Sequence, residues 1–456
     1  MKIVVLNGSP KGEESVTMQY VAYLRKKFPS HDYQILHVAR DIRKIEKDEI
    51  VFHKIVDEVR GCDVVLWAFP LYFLLIPAQY KRFIELIFER HAEAAFSGKY
   101  AASLSTSIHF FDQTANNYLH GICDDLGMHY AGFYSAAMYD LLKEEEQARL
   151  SGFASLLFGT VQDALPVPRE FAPVMANAWS YKPGDSPDPV DTGGKKVVIL
   201  TDGNDLSGNL AKMTDRIMTR FSGSVERNNL HDLDIRGGCL GCCQCGYDNT
   251  CIYTDGFRNF YLNTLGEADI VIMAGKVHDR YLSSTWKQFF DRSFFKGHTP
   301  GLKGKQIAFV IEGPLQQLST LREALAGWAD NGTCNVIFIT DECGDSVMLD
   351  ALLDAAATRL ARSADAGYVP PKTFYAVGGH KIFRDSIYGS MRLAFQADTR
   401  YYHEHGLFDF PQKDLQTRLF NTVLIPMTRI PAFRKKLFAD IKRHMVRPFR
   451  AVLDSA

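Results

Sequence analysis

The chain carries no excess of either charge: 52 Lys and Arg stand against 53 Asp and Glu in 456 residues. With no global field to draw in a polyanion, nucleic acid is not an expected partner. Long apolar runs are also missing. No segment approaches the ~18 consecutive apolar residues read as a membrane span, and "MKIVVLNGSP" is too short in apolar residues to form a signal-peptide core. A cytoplasmic protein is expected, where thiols stay reduced. Two nucleotide-binding motifs are absent as well. The turn after the first apolar run has neither Gly-Lys-Ser/Thr nor Gly-x-Gly-x-x-Gly, which excludes a Walker A loop and the dinucleotide fingerprint there.

What is present is 46% hydrophobic content, enough across this length for more than one core. Residues 2 to 7, "KIVVLN", read as a strand leading through Gly-Ser-Pro into a helical pattern. The order recurs in "CDVVLWAF" (62 to 69), the helix of "IPAQYKRFIELIFER", the strand "KYAASLST" and a helix from Thr114 to Leu126. Such alternation predicts parallel βαβ units in an open sheet covered on both faces. The second half repeats the programme. Asp63, Lys81, Phe83, Gly98 and Lys99 recur 206 positions later as Asp269, Lys287, Phe289, Gly304 and Lys305. The first strands align at an offset of 195, so copy two holds eleven extra residues in between. The fold class is therefore α/β, as two tandem doubly wound parallel five-stranded sheets plus a helical C-terminal extension. The expected boundaries are 1–165 and 195–365 for the two domains, 166–194 for a Pro-, Gly- and Asp-rich linker, and 366–456 for the extension.

The eleven extra residues include most of "GGCLGCCQCGYDNTC", residues 237 to 251, with five of the nine cysteines. Read as C-x2-C-x2-C-x5-C, the ligands are Cys239, Cys242, Cys245 and Cys251, with Cys243 left over. This spacing lets one loop wrap a [4Fe-4S] cluster and is favoured over zinc, which more often pairs two separate C-x2-C knuckles, or over a metal-free thiol loop. Cys62, Cys123, Cys334 and Cys343 are expected as core fillers. His109 and His278 are expected to be solvated or hydrogen-bonded, and no general acid or base is assigned.

In copy one, "NGSPKGEESVT" joins strand to helix, where backbone N–H groups and the helix dipole suit a phosphate. "FPLYFLLIPAQ" (69 to 79) is an apolar and aromatic loop at the same sheet edge, fit for a planar ring or for a dimer partner. Together these segments resemble the flavodoxin-like, NAD(P)H-dependent FMN reductase family. The resemblance implies that Ser9, Lys11, Ser15 and Thr17 hold the FMN phosphate and that Pro70, Leu71, Tyr72, Phe73 and Leu74 flank the isoalloxazine. Ser105, Thr106 and Ser107 would close over the ring. The cysteine loop is similar to that of the iron-sulfur flavoproteins, the cluster-bearing branch of that family, although here flavin and cysteine loops lie in different copies. Copy two replaces the flavin loop with Lys276, His278, Asp279 and Arg280 and puts Asp202 and Asp205 in its first loop, so no FMN is expected there. Those polar residues could form a surface facing a partner domain or an acidic group of a substrate, with a solvated loop the commoner expectation.

The activity implied is electron transfer between FMN and a [4Fe-4S] cluster, with NAD(P)H or a reduced-ferredoxin-type protein as donor. The rivals are an FMN or quinone reductase without a cluster, and a non-enzymatic electron carrier or zinc-bearing scaffold. A homodimer is expected from the resemblance. From Lys413 onward, ten Lys or Arg stand against three Asp, with Leu437, Ile441 and Met445 at helical spacing beside Phe438. A basic amphipathic helix of this kind suits an anionic membrane surface or an acidic partner. Closure of a gap between domains or subunits is the favoured reading, because Pro426, Pro431 and Pro448 interrupt any long helix.

Overall fold

The computed structural model describes residues 1–176 and 178–455, so Asn177 of the expected linker lies outside the described residues. Copy one runs β1 (Lys2–Asn7), α1 (Val16–Lys27), β2 (Asp32–Leu36), α2 (Ile42–Lys47), α3 (Glu49–Arg60), β3 (Val64–Pro70), α4 (Ala78–Glu89), β4 (Tyr100–Ser107), α5 (Asp112–Asp125), β5 (His129–Ala137) and α6 (Glu144–Gln162). Its five strands pair in parallel in the order β2-β1-β3-β4-β5. Residues 190–340 hold β6 (Val190–Asp191), β7 (Val197–Thr201), α7 (Asn209–Thr219), β8 (Phe221–Ser222), β9 (Val225–Asn229), α8 (Phe257–Phe260), β10 (Ile270–His278), β11 (Tyr281–Leu282), α9 (Ser284–Arg292), β12 (Gln306–Glu312), α10 (Ser319–Asn331) and β13 (Asn335–Thr340). The helix α11 (Ser346–Asp365) closes this half.

The parallel path of the second sheet is β9-β7-β10-β12-β13, the same order as the first when counted from its own first strand. A sixth strand, β11, folds back antiparallel on β10 and is the one departure from five. It arises from a turn in which Asp279 and Arg280 both take left-handed backbone (φ 46° and 62°), the conformation a two-residue hairpin requires. Copy one makes the same turn 206 positions earlier. Phe73 and Leu74 have φ of 36° and 69°, and Tyr72 and Leu75 exchange backbone hydrogen bonds of 2.9 and 3.2 Å. Left-handed backbone is unfavourable for side chains of this bulk, and such strain collects at functional sites.

Other repeated residues also repeat their roles. Asp63 accepts from the Lys2 amide at 2.8 Å and Asp269 from the Lys196 amide at 2.9 Å. Gly98 and Gly304 share a φ of +74°. Phe83 and Phe289 are both fully buried. One apolar core takes side chains from both sheets and from α4 and α9 between them, including Val4, Trp67 and Phe83 with Val198, Phe289 and Phe309. Separate clusters cover the two outer faces, under α1 and α6 and under α7 and α11.

Between the sheets α4 and α9 exchange caps. Glu85 of α4 accepts from the Ser284 amide at the start of α9, and Asp291 of α9 accepts from the Ala78 amide at the start of α4 at 2.8 Å. Each acid is paired on its own helix, Glu85 with the fully buried Lys81 at 3.1 Å and Asp291 with the fully buried Lys287. Burial pushes the Glu85 carboxyl up, but Lys81, the Ser284 hydroxyl and Arg82 outweigh it and bring it down to about 2. Asp291 has one cation rather than two, and burial holds it above the usual carboxylate range. This reciprocal contact joins the halves inside one compact unit, Met1–Thr399.

The described residues of 166–189 hold no helix or strand, yet Tyr181 is buried in the outer core of the second sheet and Trp179 Nε1 donates to the Asp341 carbonyl at 2.7 Å. Helices α12 (Phe374–Tyr388), α13 (Gln396–Glu404), α14 (Leu415–Met427), α15 (Pro431–Val446) and α16 (Arg450–Leu453) follow. The residues from Arg400 onward form a second unit. No helix among the described residues is long and apolar enough to cross a membrane.

Candidate functional site

At the carboxyl edge of the first sheet, β1 ends in a turn that cannot accept a side chain at Gly8, because a Cβ there would lie 2.3 Å from the Tyr80 ring. Asn7 Oδ1 accepts from the Ser9 amide at 2.9 Å, and Ser9 Oγ accepts from the Lys11 amide at 3.3 Å. Ser15 then caps α1, its Oγ accepting from the Met18 amide at 3.2 Å. These contacts aim the first turn of α1 and the Lys11 side chain at one end of a cavity of about 260 Å³. The turn after β3 forms its apolar wall with Pro70, Leu71, Tyr72, Phe73 and Leu74, and Thr106 and Ser107 border it. Leu71 donates its amide to the Thr106 carbonyl at 3.0 Å, which ties the two loops together.

Three expected contacts are not on the wall. Ser9 is buried in the turn, Thr17 shares a 2.6 Å hydrogen bond with Thr106, and Ser105 accepts from Asn116 at 3.0 Å. Their hydroxyls brace the loops from behind.

The opposite wall comes from copy two. Cys239, Cys242, Cys243, Cys245 and Cys251 all border the same cavity. The loop that carries them is held at both ends. Arg292 forms a bidentate pair with Asp255 at 2.8 and 2.7 Å and donates to the Gly237 carbonyl at 3.0 Å. Gln79 of α4 donates to the Cys239 carbonyl at 3.1 Å. At Gly241 the two copies pack tightly: a Cβ added there would lie 1.8 Å from the Tyr72 hydroxyl, and its φ of +63° suits glycine. That hydroxyl is buried without a hydrogen-bond partner, and burial, with Cys239, Asp291, Cys243 and Cys242 nearby, drives its pKa well up. Lys287 donates to the Tyr72 carbonyl at 2.8 Å.

Residues 1–155 match the Flavodoxin_2 family, described as a flavodoxin-like fold. An iron-sulfur flavoprotein of Archaeoglobus fulgidus is 32% identical over 101 residues, covering 22% of this chain. The chain spans 45% of that relative's length, less than half. Among solved structures, the apo form of an NADH:FMN oxidoreductase (EMOB) covers 37% of this chain and 91% of its own, at 18% identity and a TM-score of 0.30. FerB, a flavoenzyme NAD(P)H:(acceptor) oxidoreductase from Paracoccus denitrificans, covers 35% of this chain and 97% of its own, at 18% identity and a TM-score of 0.29.

The flavodoxin-like domain offers what FMN would need: a capped helix start with Lys11 for the phosphate, an apolar slot beside it, and an orphaned Tyr72 hydroxyl. The thiol set suits a soft metal or an iron-sulfur cluster. Among the described residues no three His, Cys, Asp or Glu side chains stand in metal-holding geometry. Burial pushes the Cys239 thiol up to about 12 and raises Cys245 and Cys243, so ligation would have to displace their protons.

The polar loops of copy two line a second cleft that includes Asp202, Asp205, Lys276 and His278. Expected as mainly solvated, two of the loop residues instead pair with copy one. Lys81 donates to Asp279 at 3.4 Å, and Arg280 forms a bidentate pair with Asp125. The reason is the cap exchange, which packs this turn against α4 and α5. Cys343 is exposed rather than a core filler, whereas Cys62, Cys123 and Cys334 are buried. His109 is half-exposed and bonded to Asp112 at 2.9 Å. Sequence reasoning missed Asp291, Arg292, Trp328, Phe383 and Phe395 on the cavity wall. Only Lys287, one turn before Asp291, carried a signal, through its match to Lys81.

Proposed function

We propose that the chain is a flavin-dependent oxidoreductase that binds FMN in copy one and a [4Fe-4S] cluster in the cysteine loop of copy two. The observation that carries this reading is the contact of Tyr72 with Gly241, which puts the flavin loop and the thiol loop on facing walls of one cavity. Lys11 and the Ser15-capped start of α1 would hold the phosphate, while Pro70, Leu71, Tyr72, Phe73 and Leu74 flank the ring. Cys239, Cys242, Cys245 and Cys251 would ligate the cluster. When bound, FMN supplies hydride and single-electron chemistry, and the cluster supplies one-electron exchange.

The protein's own part is to position and to exclude water. Lys287 holds the Tyr72 carbonyl, and Phe294, Phe295, Trp328 and Phe395 line the apolar part of the cavity. Because copy two supplies the facing wall, the site needs no second chain. The donor is NAD(P)H or a reduced electron-carrier protein. A second reading is an FMN reductase with an empty thiol loop.

Titration of apoprotein with FMN, read by quenching of flavin fluorescence, tests the flavin assignment. Lys11→Glu places a negative charge beside the phosphate and should weaken binding about tenfold or more, and Tyr72→Ala should weaken it too. Unchanged affinity in both variants would put FMN elsewhere.

A further inference from the structure

We propose that the C-terminal helices α14 and α15 form a docking surface for an anionic lipid bilayer. Thirteen large apolar side chains between Leu415 and Leu453 are exposed, against twenty in the whole of residues 1–399, among the described residues. Helix α14 buries none of its residues. Leu415, Leu419, Val423 and Met427 follow one another at four-residue spacing on α14, with exposed Phe420 and half-buried Leu424 alongside; on α15 Phe433, Leu437 and Ile441 repeat the spacing half-buried, and Phe438 and Met445 stand exposed beside them. Spacing of this kind gathers side chains on one face of a helix. An exposed apolar area so concentrated marks a contact surface.

Charge selects the occupant. Residues 413–456 carry ten Lys or Arg and three Asp, whereas residues 1–412 carry 42 basic against 50 acidic residues. Of the three acids, Asp414 is spent capping α14, accepting from the Thr417 amide at 3.0 Å. A second copy of this surface would bring like charge against like charge. A bilayer with anionic headgroups offers negative charge and an apolar layer on one flat face, which suits amphipathic helices lying in its plane. The prolines do not oppose this. Pro431 opens α15 at its first turn and Pro426 lies in the closing turn of α14, so the breaks fall between two short helices rather than across one.

Co-sedimentation of the full chain with vesicles tests the surface. The wild type should pellet with vesicles of phosphatidylglycerol and phosphatidylcholine in equal parts, and not with phosphatidylcholine alone. Added salt should weaken the binding. A variant combining Lys435→Glu, Lys436→Glu and Arg443→Glu, and another combining Leu419→Ser, Phe420→Ser and Val423→Ser, should each bind about tenfold less or weaker still. Both should bind FMN as the wild type does, since none of these positions borders the cofactor cavity. Vesicle binding unchanged in both variants would overturn the proposal. So would absence of vesicle binding together with a dimer, seen by light scattering, that the apolar variant dissociates.

Discussion

Lys287→Met is expected to destabilise the protein by about 3–5 kcal/mol, the range for removing one partner of a buried ion pair. Lys287 and Asp291 are both shielded from solvent, and burial lowers the lysine's pKa while raising the acid's. The pair therefore adds little net stability, yet half of it alone is costly, because without Lys287 the buried Asp291 must either carry an unpaired charge or be driven to take up a proton. The double variant Lys287→Met with Asp291→Asn should recover most of the loss, since asparagine can still accept from the Ala78 amide. Urea unfolding followed by tryptophan fluorescence measures both. A single variant as stable as wild type would mean that the buried Lys287–Asp291 pair does not constrain the fold.

The second large effect concerns metal. Cys245→Ser should abolish iron binding while FMN stays, because the proposed cluster needs all four thiolates of the C-x2-C-x2-C-x5-C set. Cys243→Ser should leave iron in place, since Cys243 falls outside that spacing although it borders the same cavity. Iron and acid-labile sulfide assays on anaerobically purified variants decide between them. Loss of iron from Cys243→Ser with retention in Cys245→Ser would reverse the ligand assignment.

The parts of the site that depend on neighbouring residues in the chain were legible before any coordinates. The Gly-Ser-Pro turn, the start of α1 and the apolar loop at 70–74 follow from strand-turn-helix patterning, and the thiol loop announces itself by spacing. What depends on packing between distant segments was not legible. Nothing local in "FPLYFLLIPAQ" indicates that Tyr72 would meet Gly241, because that contact comes from α4 docking on α9. The same docking turned Asp279 and Arg280 from expected surface residues into ion-pair partners of copy one. Serine and threonine hydroxyls were the least legible. Ser9, Thr17 and Ser105 have the composition of phosphate or ring contacts, but their oxygens are bonded within the first turn, between α1 and β4, and between β4 and α5. Exposure of Cys343 likewise depends on the turn before α11, not on residue type.

Cofactor analysis of the intact chain, purified without oxygen, bears most directly on the joining of flavin and thiol loops in one redox site. FMN, iron, labile sulfide and zinc are measured per chain. One FMN with about four irons and four sulfides is the predicted outcome; stoichiometric zinc in a colourless protein, or FMN with neither iron nor sulfide, would contradict it.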